Sequence, residues 1–381
     1  MRRGLIIMSY LFVFAHGSRG GQSPPSATNL ISGDEPLWTQ SMLWDQQIAL
    51  FSGLGYKDNV LLGAFNPRAS AFFINGLDLM VLRLPLDGWQ VVGLVVGDDI
   101  RYWRNVGTNS EDSFISSLRI QRELAEGWKA ALEWRGLYEK QVLEITTREG
   151  VPATALVEGY GITAQPSVRK DFQDGWWLQA EMPITRWSLA APLDDYWEFG
   201  PVATVGYNFG RQSDITASFG ASYQPHAEWV ALDPYGRPLP EHLEIFQDRT
   251  ELAWHQYWDS DRQWRSSTRL IFAYDEDNGG GYFNYYQYQI VQDLLWQTAD
   301  WQVKGSAQQV YELYPVQGVG ILNGQLLNRN LTDLSLEVER RLFKHWKGFG
   351  KVGYQRGHSN YTGQAGDYTA RTYSCGLRWE F

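Results

Sequence analysis

The sequence predicts an all-β chain that closes into an antiparallel transmembrane β-barrel of about sixteen strands, with short turns on one rim and long loops on the other. Three observations predict it. The last eight residues alternate strictly, with Cys375, Leu377, Trp379 and Phe381 on one face and Ser374, Gly376, Arg378 and Glu380 on the other. That is a strand with an apolar and a wet side. From Gln47 onward no 3.6-residue period is visible, only alternating stretches of roughly 11 to 17 residues separated by turns. Aromatic residues make up 15% of the chain, with 18 Trp and 21 Tyr, more amphipathic rings than a soluble core of this size needs. Trp and Tyr settle where hydrocarbon meets water.

The elements follow in order. Arg2 and Arg3, an apolar run from Leu5 to Phe14, and Ala15-His16-Gly17 read as a secretory signal over residues 1–17. The run is too short to span a bilayer, and no later stretch approaches the roughly 20 apolar residues of a membrane helix. Residues 18–46, rich in Gly, Ser, Pro and Asn at first, read as a flexible lead, and 47–381 as the barrel. Cys375 is the only cysteine, which excludes an intramolecular disulfide and a lipid-anchor cysteine. The net charge of -10 becomes about -12 once Arg2 and Arg3 are removed, which argues against a nucleic-acid partner.

The expected strands are 47–57, 70–84, 89–103, 113–125, 129–145, 160–173, 176–192, 197–210, 215–232, 244–259, 264–277, 282–298, 301–315, 331–343, 347–361 and 368–381. Short turns fall at residues 87–89, 126–128, 174–176, 210–212, 261–264, 299–301 and 344–346, and six of the seven carry a Trp at or just after the turn. Longer polar loops at 104–112, 146–159, 233–243 and 316–330 lie between them. The repeated Trp reads as one row of an aromatic girdle. A count of fourteen strands stays open, because Pro183 and Pro225 each interrupt a proposed strand and central strands exclude proline.

Alternation places Arg119, Glu123, Glu133, Arg135, Lys304, Glu337, Glu339, Arg341 and Arg378 opposite apolar residues. A lipid-facing Arg or Lys at mid-bilayer costs about 2–4 kcal/mol, so these charges are expected to line the lumen. Sixteen strands enclose more space than side chains fill, so a water-filled interior is expected. The loop 146–159 mixes the charges of Arg148, Glu149 and Glu158 with an apolar run from Val151 to Val157. It is a candidate constriction loop that packs on something, with a loop lying over the rim or against a neighbouring subunit as the alternative.

With these features the chain resembles bacterial outer-membrane β-barrels of the porin-like size class. Its end, with Gly376, Trp379 and Phe381, is similar to the C-terminal signal read by the Gram-negative barrel assembly machinery. The resemblance implies short periplasmic turns, long extracellular loops, contact with outer-membrane lipid, and a homo-oligomeric state left open. The segment Gly53-Leu54-Gly55-Tyr56-Lys57-Asp58-Asn59-Val60 is also similar to the first strand of surface-lipoprotein assembly modifiers and of other barrels.

Catalytic groupings are weak. Gly357-His358-Ser359-Asn360 superficially resembles the His-x-Ser-Asn motif of outer-membrane phospholipase A, but adjacent residues point to opposite strand faces. Asp98-Asp99 and Asp194-Asp195 have no histidine nearby in sequence for a protease-type dyad. Asp275-Glu276-Asp277-Asn278-Gly279 looks like part of a calcium loop, yet Tyr286 stands at the twelfth position, so an acidic hairpin tip is the simpler reading. His226, His242, His255 and His345 lack metal-ligand spacing. No enzyme activity, metal or cofactor is expected. The expected work is passive diffusion of small hydrophilic solutes, the alternative a non-transport barrel that secretes, assembles or anchors a partner.

Overall fold

The computed structural model describes residues 44–85, 87–104, 106–146, 152–190, 193–209, 213–319, 324–360 and 367–381. The expected signal and most of the lead, residues 1–43, lie outside the described residues. The strands are β1 Trp44–Lys57, β2 Ser70–Arg83, β3 Trp89–Tyr102, β4 Ser110–Ala125, β5 Trp128–Thr146, β6 Pro152–Asp171, β7 Trp176–Glu181, β8 Ile184–Leu189 and β9 Tyr196–Phe199. They continue with β10 Val202–Phe209, β11 Ser213–Leu232, β12 Pro238–Tyr257, β13 Trp264–Asp277, β14 Tyr285–Gln297, β15 Trp301–Gly318, β16 Leu326–Arg341, β17 Trp346–Ser359 and β18 Tyr368–Glu380.

Every pairing is antiparallel, and β1 pairs on one side with β2 and on the other with β18, so the sheet closes. Two strands are each broken into two segments. β7 and β8 are separated at Met182–Pro183, and β9 and β10 at Gly200–Pro201. In both cases the halves share one line of pairing, β6 with β7 and β8, and β10 with β7 beside β9 with β8. The eighteen segments are therefore sixteen strands. Proline has no N–H for the ladder, so the two breaks sit side by side, and neighbouring amides use the proline carbonyls instead. Met182 N donates to Pro166 O at 3.1 Å, and Ala221 N to Pro201 O at 3.1 Å. Pro225 marks a register shift in the β11–β12 pairing. The prolines interrupt ladders without deleting strands, which removes the fourteen-strand count.

The long-loop rim differs from expectation. β6 begins at Pro152 rather than 160, β12 at Pro238 rather than 244, and β16 at Leu326 rather than 331. Gly- and Pro-containing sequence there favours loop, but a ladder needs only paired backbone groups. Those pairings continue as tall hairpins beyond the apolar band. The lead is shorter too, because Trp44, Asp45 and Gln46 already belong to β1.

The opposite rim is built as expected. Trp89, Trp128, Trp176, Trp264, Trp301 and Trp346 are each the first residue of a strand, and each is exposed on the outer surface. Cations lie over three of their rings: Arg122 over Trp89, Lys170 over Trp128, and Arg340 over Trp301. Leu118, Ile162, Leu252, Leu270, Ile290, Leu334 and Leu377 are likewise exposed. An all-round band of exposed aliphatic side chains bordered by aromatic rings is the surface of a barrel immersed in lipid.

Candidate functional site: lumen and mouth

The strand period decides which charges meet inside. Arg378 lies opposite Phe51 and Lys347, and Glu337 opposite Lys304 and Lys351. Register and alternation place all nine charges expected in the lumen on the inner face. They form two groups. On β4 and β5, Glu133 lies between two guanidinium groups, 3.9 Å from Arg119 Nη1 and 3.4 Å from Arg135 Nε. On β15 to β18, Lys304 Nζ is 3.4 Å from Glu337 and 3.9 Å from Glu339, and Arg378 Nη1 is 3.3 Å from Glu339. Glu123 and Arg341 stand apart near the Trp rim, beside Lys129 and Lys347 in the ladder.

Alternation alone did not single out the partners that complete the second group. Arg378 also bonds Asp78 on β2, and Lys347 Nζ lies 2.6 Å from Glu380. Arg378 is 5.9 Å from the centre of the Phe51 ring, which meets Phe349 edge-on at 6.0 Å. Gly76 is what admits the Phe51 ring, since any Cβ there would occupy its place. The inner face also carries Lys129–Asp171 at 2.7 Å, Arg249–Glu251 at 2.9 Å and His255–Asp214 at 3.1 Å. These residues obey the same alternation, and their pairing across strands was the missing information.

The far end of the interior is filled from two sides. The first loop, residues 58–69, turns inward. Val60 packs with Phe72, Tyr102 and Val106, while Leu62 packs with Val142 of β5 and Ala370 of β18. Asn59 pins the loop through its side chain, donating to Gly63 O at 2.9 Å and Thr369 O at 3.1 Å and accepting from Gly63 N at 3.0 Å. Leu62 is 5% exposed and adopts φ 50°, a left-handed conformation that a bulky side chain rarely takes. Burial of the leucine holds that strain.

The β5–β6 hairpin separates two apolar clusters. Val142 contributes to the Leu62 cluster near β18, and Val157 to a larger one with Trp187, Tyr196, Trp229, Leu243 and Phe283. β5 and β18 are five strands apart around the wall, so the contact of Val142 with Leu62 and Ala370 carries the hairpin inward over the mouth. Of the expected constriction residues, Arg148 and Glu149 lie outside the described residues. Glu158 is a correction: it sits within β6 rather than a loop, on the exposed outer side, accepting from Tyr138 Oη at 3.2 Å.

Several motifs resolve as structural parts. The Asp277 carboxylate accepts from Gly279 N and Gly281 N, both at 2.9 Å, and from Phe283 N at 2.6 Å, so the calcium-like segment is an amide-satisfied hairpin tip. His358 contacts Asp367 at 3.0 Å, while Ser359 is buried on the other face of β17. Asp194, between β8 and β9, accepts from Glu228 N at 2.9 Å and Trp229 N at 2.8 Å, with His226 Nδ1 at 3.7 Å. Burial pushes this carboxyl up, but the histidine and the two amides outweigh it and hold it below the usual range. Among the described residues no group of three or more His, Cys, Asp or Glu side chains is placed to hold a metal ion.

No family model matches the sequence, and no curated protein does. Among solved structures, the chain is similar to an anion-selective porin from Comamonas acidovorans, at 11% identity and a TM-score of 0.44, covering 89% of this chain and 99% of that one. It is also similar to OccAB1 of Acinetobacter baumannii, at 10% identity and a TM-score of 0.43, over 89% and 97%. A bacterial polysaccharide outer-membrane secretin matches at 10% identity and a TM-score of 0.40, over 88% and 98%. At these values the likenesses are of outline only.

Proposed function

We propose that the protein is an outer-membrane pore for passive diffusion of small hydrophilic solutes, narrowed at its mouth by the first loop and the β5–β6 hairpin. One observation carries this reading. Inner-face charges remain wet, with the Lys304 side chain 43% and the Arg119 side chain 34% exposed, although the outer faces of the same strands are apolar. Charged groups of both signs along a watered wall act on solutes by size and by field, without covalent chemistry.

The test is single-channel recording in planar bilayers, where purified folded protein should give stepwise conductance. Silent bilayers from correctly folded protein would favour the second reading, a barrel that secretes, assembles or anchors a partner. That reading draws on the packed mouth, where Val60, Leu62 and Val142 are all buried.

A further inference from the structure

The inner faces of β3, β4 and β5 place three carboxylates around one serine. Asp98 and Glu139 both lie opposite Ser113, one on each side, and Glu111 lies two residues from it on β4, opposite Ile100. Directly opposed side chains have Cβ atoms about 5 Å apart and diagonal ones about 7 Å, so Glu111 is within reach of both other acids. Glu139 feels the charges of Asp98 and Glu111. It is 7% exposed and has no hydrogen-bond or ion-pair partner among the described residues.

One cation bonds the trio directly. Lys57 of β1 places Nζ at 3.1 and 3.3 Å from the two oxygens of Glu111. Asp98 faces Lys351 at longer range and also the carboxylate of Asp78. Glu139 is thus a secluded carboxylate aimed at a group already rich in negative charge. Such a charge is held by binding a proton or by binding a cation. A shared metal ion is disfavoured by the spacing, since no three of these oxygens converge at coordination distance. An organic ammonium, which reaches separate carboxylates through separate N–H groups, suits it better.

One further feature fits that ligand. Ser113, a short side chain, is the residue that stands between Asp98 and Glu139 in the row. Lys57 on Glu111 shows the same chemistry made within the chain.

We propose that Asp98, Glu139 and Ser113 form a binding site for a small organic cation with primary ammonium groups, beside the Lys57–Glu111 pair. For the pore reading, on which this part rests, the site names the solutes favoured: amines and diamines over neutral or anionic molecules of equal size.

The experiment is calorimetric titration of 1,4-diaminobutane into the detergent-folded full-length barrel, with 1,4-butanediol as the neutral probe. The diamine should bind and the diol should not. Glu139→Gln and Asp98→Asn should each weaken binding about tenfold, the loss of one charge-assisted contact. Asp248→Asn, the same charge change at an exposed position outside the site, should leave it unchanged. Two variants keep the test usable if one misfolds, and heat-modifiable migration reports folding. Diamine binding that is absent, or equal in wild type, Glu139→Gln and Asp98→Asn, overturns the proposal. A barrel that binds as expected yet never conducts keeps the site and removes the pore reading. A conducting barrel whose diamine binding ignores both acids does the reverse.

Discussion

Arg378, on the last strand, reaches across β1 to the carboxylate of Asp78 on β2. Both side chains are mostly buried, and the guanidinium also meets Glu339 and Glu380. The ladder that closes the barrel, β1 against β18, is thereby bridged by an ion pair between its two flanks. Removing one partner of such a pair strands the other charge. Arg378→Met should lower unfolding stability by about 3 kcal/mol. Asp78→Asn should cost less, and the double variant less than the sum, because the two changes share one interaction. Urea titration of the folded barrel followed by gel mobility measures this, and strict additivity would deny the coupling.

A second prediction concerns assembly. Trp379 stacks on Trp346 with centroids 6.0 Å apart and touches the Phe381 ring at 3.8 Å, while Phe381 N donates to Ile48 O at 2.9 Å. The terminal aromatic therefore docks at the Trp-bearing rim and on the first strand together. Deleting Phe381 should lower barrel levels in the outer membrane and leave export across the inner membrane intact. Unchanged outer-membrane levels with normal heat-modifiable migration would count against a role in recognition.

The mouth gives a third. Leu62 holds a left-handed backbone only because its side chain is buried between Val142 and Ala370. Leu62→Ser removes that anchor, and about 2 kcal/mol or more of local packing with it. In bilayers the variant should conduct more than wild type or show added open-state noise. Conductance identical to wild type would mean that the first loop does not limit flow.

A fourth is a pH effect. Asp194 is held below the usual carboxylate range, so its stabilising contribution is complete above about pH 4 and is lost as pH falls through its native value. It ties the β8–β9 connection to Glu228 and Trp229, whose ring stacks on His226 at 5.3 Å. Acidification below pH 4 should therefore loosen this corner, read as increased proteolysis near residues 193–195. In Asp194→Asn the cutting should be raised at neutral pH and nearly independent of pH. A wild-type profile that matches the variant's would sink the assignment.

The outer surface was legible because lipid imposes period two on every strand, and because Trp marks six of the seven short turns, from Trp89 to Trp346. The same constraint made the inner charges legible, Arg119 to Arg378, as the residues that lipid would not accept. It lapses beyond the apolar band. There β6 runs back to Pro152 and β12 to Pro238 with sequence that looks like loop. The mouth was therefore the least legible part. Alternation says which face Glu139 or Lys57 occupies, but not that Lys57 lies against Glu111 three strands away. Leu62 was invisible, since nothing local marks a leucine that will be forced to positive φ by burial.

The last prediction is topology. Gly127 and Gly175, in the short turns at φ 70° and 91°, belong to the rim where the turn tryptophans begin their strands. Gly236, at φ 76°, lies in the turn between β11 and β12 at the opposite rim. If the short turns are periplasmic, a cysteine at position 236 reacts with an impermeant thiol reagent on whole cells, and one at 127 or 175 reacts only after the outer membrane is breached. Cys375 is exposed on the outer face of β18 and should first be replaced by Ser. Cysteine strains a positive φ, so each variant needs its heat-modifiable band before labelling. Labelling at 127 and 175 but not at 236 on intact cells would invert the barrel. The mouth formed by Leu62, Val142 and the Asp98–Glu139 row would then open to the periplasm, and solutes would meet that row on leaving the cell rather than on entering it.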